Sequence, residues 1–261
     1  DIDEKYVVGL INTARAEDIE GAGLKVLPKL AADVTTMTLT PDIKTSARLV
    51  ARRDMVVCGI KLVPLILKVY ADASGDSDWK FLPHAADGQR LAKGGVIGEI
   101  KGSARIMLQA ERIMLNFLQR LSGIATSAAE YVAALGNSQT KLLDTRKTTP
   151  CLRVLEKYAF ACGGAYNHRM GLFDRVMLKD NHLFAAHAVD GAMLAKAVRT
   201  AKEKNPSLAV EVEVDSLSQI APVLEAEADV VMLDNFSLAD LKTAVDMIGD
   251  KAWTEASGGV T

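Results

Sequence analysis

The sequence predicts an α/β protein whose second half is a β/α barrel, and three observations carry that prediction. From residue 141 onward, short apolar runs alternate with amphipathic stretches, the pattern of parallel strands joined by crossover helices. Each run ends in a charged or reactive group, and barrel chemistry sits at the carboxyl ends of strands. Neither G-x-G-x-x-G nor a P-loop motif occurs, which favours a barrel over a dinucleotide-binding sheet.

The elements follow in order. Residues 33–60 alternate apolar and polar positions, as half-buried strands do. "KLVPLILKVYADA" (61–73) reads as a helix with Pro64 in its first turn, where the missing N–H costs nothing. Residues 75–102 are rich in glycine and broken by Pro83, which predicts short strands and turns. A long helix is expected over 103–121, with Ile106, Ala110, Ile113, Met114, Phe117 and Leu121 on one face. Then come the strand–helix pairs: "KLLDTR" before "PCLRVLEKYAFAC", and "RVMLKDNH" before one long helix, "LFAAHAVDGAMLAKAVRTAKEK". "LAVEVEVDS" precedes "LSQIAPVLEAEA", and "ADVVMLDNF" precedes "SLADLKTAVDMIGD"; "WTEASGG" ends the series. Ser216 with Gln219 and Ser237 with Asp240 have capping-box spacing at two helix starts.

Composition sets limits on function. The chain has 261 residues, 49% hydrophobic and 25% charged, with a net charge of −2. Such a balance offers no general attraction to nucleic acid or to a membrane, so any anion site must come from local clustering. Cys58, Cys151 and Cys162 are widely spaced and odd in number, which argues for a reducing compartment and against a disulfide framework or zinc site. The apolar runs are too short to span a bilayer, and a cytoplasmic protein is expected. The chain starts at Asp1 without methionine, so a trimmed N-terminus is expected.

The groups at the strand ends are Arg146 and Lys147, His168 and Arg169, Lys179, Glu213, Asp234, and then Ser257, Gly258 and Gly259. Taken one at a time they have plain explanations. Arg146 and Lys147 could be a solvated pair, His168 a turn residue and Lys179 an edge-strand gatekeeper. Asp234 could be a helix N-cap, Cys151 a small apolar helix residue and Arg112 an exposed or snorkelling side chain. Either Glu211 or Glu213 faces a barrel interior, where an unpaired charge is costly. Taken together at matching strand ends, they describe a site. Clustered cations repel unless an anion lies between them, and each charge-assisted bond contributes about 1.5–3 kcal/mol. Glu213 and Asp234 suit magnesium, sugar hydroxyls or a developing positive charge. "ASGGV" would offer backbone N–H groups to a phosphate.

Several blocks then carry a resemblance: "AERIMLNFLQRLSGIAT", "LLDTRKTTP", "GGAYNHRMGLFD", "LKDNH", "VEVEVDSL", "VMLDNFS" and "EASGG", in that order, with "DVTT" and "ARLVARRDMVVCGI" matching more loosely. The chain resembles the quinolinate phosphoribosyltransferases over nearly its whole length. The resemblance implies an N-terminal open-faced α/β sandwich, residues 1–114, that caps the partner's active site. It implies a C-terminal incomplete seven-stranded α/β (TIM-like) barrel over 115–261. It further implies a homodimer, or a higher oligomer, with shared sites. The implied reaction joins quinolinate to the ribose of 5-phosphoribosyl-1-pyrophosphate, releasing pyrophosphate and CO2 and leaving nicotinate mononucleotide for NAD synthesis. By the same resemblance, Arg146, His168, Arg169 and Lys179 bind the quinolinate carboxylates, and Arg112 reaches in from the other subunit. Thr145 and Lys147 lie with the substrates, with Lys147, Glu213 and Asp234 as catalytic residues. Glu213 and Asp234 hold Mg2+, directly or through water, and Ser257, Gly258 and Gly259 belong to the phosphate loop. Cys151 stands where the family has glycine after "TTP", at what reads as a helix start, so the change is expected to be tolerated. The family pattern continues past "SGGVT" through one more helix and strand, so a truncated C-terminus is expected.

Two other function classes stay open from the residues alone. One is a Schiff-base aldolase or lyase with Lys179 as nucleophile. The other is a non-enzymatic sensor of a dicarboxylate or phosphorylated metabolite.

Overall fold

A computed structural model describes residues 2–259, in two compact units that meet between His168 and Arg169. In the first unit, helix α1 (Glu4–Glu20) is followed by strands β1 (Lys44–Val50) and β2 (Met55–Val56) and helix α2 (Leu62–Ser74). Strands β3 (Trp79–Pro83), β4 (Arg90–Leu91) and β5 (Val96–Ser103) come next, then helices α3 (Ala104–Leu135) and α4 (Arg153–Cys162). β5 lies between β1 and β3, antiparallel to both, while β2 and β4 form a separate antiparallel pair.

α3 organises this unit. At 1.5 Å per residue its 32 residues run about 48 Å. Ile106, Ala110, Ile113, Met114 and Leu121 are buried along it and Phe117 half-buried, so the face expected from sequence is the face that packs. The helix continues 14 residues beyond that stretch to Leu135, on the small residues Ala125, Ala128 and Ala129, which are buried. Two hydroxyls on its inner face take over backbone pairing that no strand supplies. Ser122 Oγ accepts from Cys58 N at 3.0 Å, and Thr126 Oγ1 accepts from Val56 N at 2.9 Å. The core below gathers Val63, Ile66, Leu67 and Tyr70 from α2 with Val7 and Ile11 from α1. Each such burial is worth roughly 1.5–3 kcal/mol. Burial pushes the Cys58 and Cys162 thiols up and lifts the Tyr70 hydroxyl to about 12.

The second unit repeats strand and helix. β6 (Val176–Leu178) leads to α5 (Asp180–Ala185) and α6 (Gly191–Lys204); β7 (Val210–Val214) leads to α7 (Ile220–Glu225). β8 (Val230–Asp234) leads to α8 (Leu238–Ile248), and β9 (Trp253–Ser257) closes the series. The four strands pair in parallel in the order β6-β7-β8-β9. Consecutive neighbours with helical crossovers are what the alternating pattern predicts. Val210, Val212, Val214, Val231 and Leu233 pack against Leu194, Val198, Ile220 and Ile248. Both predicted caps form: Gln219 Oε1 accepts from Ser216 N at 3.3 Å, and Ser237 Oγ accepts from Asp240 N at 3.1 Å. Among the described residues, no helix is long and apolar enough to cross a membrane.

Three local expectations are corrected. The single helix expected from Leu183 is two, because His187 takes a left-handed conformation (φ 51°) after α5. Ala188 N then donates back to Leu183 O at 2.8 Å, a Schellman-type stop with histidine in the glycine position. "KLLDTR" forms one parallel bridge, Leu143 with Tyr166, rather than a strand. Its backbone turns at once: Lys147 N donates to Thr145 Oγ1 at 3.0 Å and Thr148 N to Arg146 O at 2.9 Å. Cys151 is not at a helix start but in a left-handed turn (φ 66°) two residues before α4, a conformation that favours glycine. Its carbonyl accepts from the Tyr6 hydroxyl at 2.8 Å.

Relieving that turn should be measurable. The strain of a left-handed non-glycine residue, roughly 1–2 kcal/mol, is partly offset by the extra unfolded-state freedom of glycine. Cys151→Gly is therefore expected to stabilise the protein by about 0.5–1 kcal/mol, read as a higher urea midpoint at unchanged m-value. A lower midpoint would show that Cys151 is not strained.

Candidate active site

In the second unit, the charged groups gather where the parallel strands end. Met177 and Glu211 are paired across β6 and β7, so Lys179 and Glu213 follow on the same face of the pleat. Lys179 Nζ donates to Glu213 Oε2 at 2.6 Å. One layer lower, Arg175 Nη1 donates to Glu211 Oε2 at 3.0 Å, with Glu211 fully buried. The sequence left open which glutamate faces inward, and both do. On β8, Asp234 is half-buried and accepts from Asn235 Nδ2 at 2.8 Å. It is not an N-cap, since Ser237 caps α8.

Asn235 and Gly258 lock the next strand end. Asn235 is left-handed (φ 56°), and its N–H donates to Ser257 O at 2.9 Å. Gly258 has φ 85°, and a Cβ there would stand 2.1 Å from Asn235 Oδ1. Glycine is thus required both by backbone conformation and by the close approach of its neighbour. A cavity of about 350 Å3 opens beside these groups, lined by Asp180, Glu213, Asp215, Gln219 and Asp234, with Phe184 among its apolar residues.

In the first unit, the other group of sequence-predicted residues is arranged around Asp144. His168 is buried, and its N–H donates to Asp144 Oδ1 at 2.8 Å. Thr145 and Lys147 are exposed and Arg146 half-buried. Arg146 Nε is shut off from solvent and has no hydrogen-bond partner among the described residues. Gly163 lets the end of α4 approach α3, since a Cβ there would meet Ala125 O at 2.5 Å. Arg169 opens the second unit, and its Nη1 donates to Arg175 O at 3.4 Å. The loop behind it is fixed by Asp174, which accepts from Met170 N at 2.6 Å and Gly171 N at 2.9 Å. Arg112 lies on the exposed side of α3.

Residues 33–122 match the family model for the quinolinate phosphoribosyl transferase N-terminal domain, and residues 124–261 match the C-terminal domain. The chain belongs to the quinolinate phosphoribosyltransferase family. It is 37% identical over 229 residues to a probable nicotinate-nucleotide pyrophosphorylase [carboxylating] of Bacillus subtilis, covering 88% of this chain and 76% of that one. Among solved structures it is similar to the nicotinate-nucleotide pyrophosphorylase of Francisella tularensis, at 36% identity and TM-score 0.85, covering 100% of this chain and 85% of that one. NadC of Streptococcus pyogenes is as similar, at 36% identity and TM-score 0.86, covering 100% and 86%.

Within the family frame, one group comprises Lys179, Glu213, Asp234, Ser257 and Gly258, with Gly259 (φ 62°) next in the chain. The second comprises Thr145, Arg146, Lys147 and His168. Sequence reasoning missed four further residues. Asp180 and Asp215 line the cavity directly after Lys179 and Val214, and only their position next to strand ends could have flagged them. Asp144 sat unremarked inside "LLDTRKTTP", and Lys157 inside what looked like an ordinary amphipathic helix.

Gly258→Ala tests the strand-end geometry. It is expected to cost about 1–2 kcal/mol in chemical unfolding, with Asn235→Gly in the same background recovering part of the loss. No loss on Gly258→Ala would contradict the close approach.

Proposed function

We infer that the chain transfers the phosphoribosyl group of 5-phosphoribosyl-1-pyrophosphate to quinolinate with decarboxylation, giving nicotinate mononucleotide, pyrophosphate and CO2 in NAD biosynthesis. The observation that carries this reading is the series Lys179, Glu213, Asp234 and Ser257–Gly258, three charged groups followed by a turn with N–H geometry suited to an anion. It lies at the carboxyl ends of four consecutive parallel strands, in a chain matching both family domains.

Each residue then has a role that its chemistry fits. Arg146, His168, Arg169 and Lys179 bind the two quinolinate carboxylates. A guanidinium whose Nε finds no partner among the described residues is suited to an anionic ligand. Lys147 stands by the leaving pyrophosphate. Glu213 and Asp234 face the ribose, whose anomeric carbon gains positive charge as the C–O bond to pyrophosphate breaks. The pyridine nitrogen supplies the electron pair for the new C–N bond. The resulting pyridinium takes up the electrons of the adjacent C–C bond as CO2 leaves, and a proton from solvent fills that ring position. No covalent protein intermediate is needed, and alignment of nitrogen with anomeric carbon supplies much of the rate. Ser257, Gly258 and Gly259 offer N–H groups to the 5-phosphate.

The donor set suits Mg2+: Glu213, Asp234, Asp180 and Asp215 bring four carboxylates to one cavity, and hard divalent cations prefer oxygen. Glu213 and Asp234 would hold it, directly or through water; when bound it offsets charge on the diphosphate. A Schiff-base role for Lys179 fits poorly, because its ammonium is held by Glu213 rather than lodged in an apolar pocket.

The reading includes a cytoplasmic homodimer with shared sites, Arg112 being given to the other subunit. It is supported by six exposed apolar side chains in one segment, Leu24, Val26, Leu27, Leu30, Val34 and Met37, a run suited to burial against a second chain.

The decisive assay mixes protein, Mg2+, 5-phosphoribosyl-1-pyrophosphate and quinolinate and follows nicotinate mononucleotide and CO2. Product is expected with quinolinate and at least about a hundredfold less with nicotinate, which lacks the second carboxylate's charge-assisted bonds. Equal rates with both would refute the two-carboxylate pocket. For the dimer, inactive Arg112→Ala and Lys147→Ala chains should regain activity when mixed. The expected ceiling is about a quarter of wild type, since random pairing makes half the dimers hybrid, each with one intact site. No recovery after verified subunit exchange would rule out shared sites.

A further inference from the structure

We propose that Lys157 and Asp144 form a buried positioning pair that sets the backbone of His168 and so the quinolinate end of the site. The proposal rests on the reading of His168 as a substrate-binding residue. Lys157 lies on α4 with 1% of its side chain exposed, and Asp144 follows Leu143 with 9% exposed. The Lys157 ammonium pairs with Asp144 Oδ1 and donates to His168 O at 3.1 Å. Asp144 Oδ1 in turn accepts from His168 N at 2.8 Å. Both main-chain polar groups of His168 are therefore held by one ion pair. With its amide nitrogen turned to these acceptors, Asn167 donates to Asp144 Oδ2 at 2.8 Å and to Lys157 O at 3.0 Å. Asp144 N donates to Tyr166 O at 3.1 Å, which ties the same residue to the strand-like bridge.

The arrangement serves orientation more than stability. Burying an ammonium and a carboxylate is costly, and an apolar pair of similar volume would hold α4 in place as well or better. What an apolar pair could not do is fix a peptide plane on each side of one histidine. The same Asp144 stands two residues before Arg146, so a single pair sets the starting points of two cation-bearing segments, 145–147 and 167–168. Reacting groups tolerate little displacement: a shift of about 1 Å costs on the order of a hundredfold in rate. Neither Lys157 nor Asp144 is assigned a contact with substrate; their influence passes through His168.

The test replaces both charges at once, with Asp144→Leu and Lys157→Met in one chain, so that no lone buried charge remains. The unfolding midpoint is expected within about 5 °C of wild type. The KM for quinolinate should rise about tenfold or more, and that for the ribosyl donor should rise clearly less, since of the donor's partners only Lys147 stands on a segment the pair holds. Calorimetric binding of quinolinate should weaken in parallel. A purely structural pair predicts wild-type quinolinate KM once the midpoint is restored, and that result would overturn the proposal. If the double variant does not fold, Asn167→Ala keeps the charges and removes one tie. A rise of about threefold in quinolinate KM is then expected, the size of one weak bond, and no change overturns the idea. Wild-type turnover is measured first, so failure of the parent reading shows separately. In that event, positioning is read from the imidazole resonance of His168, one of only four histidines. An unshifted resonance in the double variant would overturn it.

Discussion

A carboxylate with none of its surface exposed has to meet a cation or lose its charge, and Glu211 is in that position on β7. Arg175, the residue before β6, meets it. Two residues further along β7, Glu213 is met by Lys179, four residues on from Arg175. These two ion pairs are rungs of one ladder and set the register of the sheet. Slipping β6 by one residue would turn Arg175, Met177 and Lys179 to the opposite face and take the Arg175 guanidinium away from Glu211. The lower pair is thus a condition for the upper one, and the upper one stands at the rim where chemistry is possible. The alternating valines, Val210, Val212 and Val214, hold the other face against the helices. A single strand, "VEVEV", thereby serves core and site at once, divided by a period of two.

The strand ends depend on a second constraint, backbone conformation. After β8 the chain must leave the sheet while Asp234 stays directed at the cavity, and it does so through a left-handed Asn235. After β9 it turns through Gly258, which can lie against Asn235 only because it has no Cβ. Asparagine tolerates that region better than most residues, and glycine is free in it. The sequence "DN" at one strand end and "SGG" at the next are thus two halves of one corner, joined by the hydrogen bond from Asn235 N to Ser257 O.

Much of this was readable in advance, for reasons that differ by element. The parallel strands were legible because apolar runs and helices alternate with a short period. The long helix was legible as far as Leu121 because its large apolar residues recur at helical spacing. Its last turns were not, because they pack through alanines, whose small side chains carry little periodic signal. The break at His187 was illegible because a histidine occupies a left-handed turn that glycine usually marks. Of the site, the exposed and half-buried ions could be named, since charge at a strand end has few structural uses. Lys157 could not. On a helix with "LEKYA" spacing a lysine reads as solvated, and only the fold shows it to be 1% exposed.

That last case bears on how a crowded cationic site is built. Arginine and lysine side chains that await an anion repel one another and carry large rotamer entropy. Fixing them through their own side-chain bonds would consume the donors needed for the ligand. Lys179 is nonetheless held that way by Glu213; a second device fixes the main chain beneath the ion instead. Asp144 does this for His168, Asp174 for the loop after Arg169, and Asn235 for Ser257. In each case the anchoring bond holds main chain next to a predicted site residue. Asp144 and Asp174 also bring negative charge close to these segments, while Asn235 is neutral and adds none. On the proposed reading, the site gains order through its main chain, and the two carboxylates lessen the repulsion among its cations.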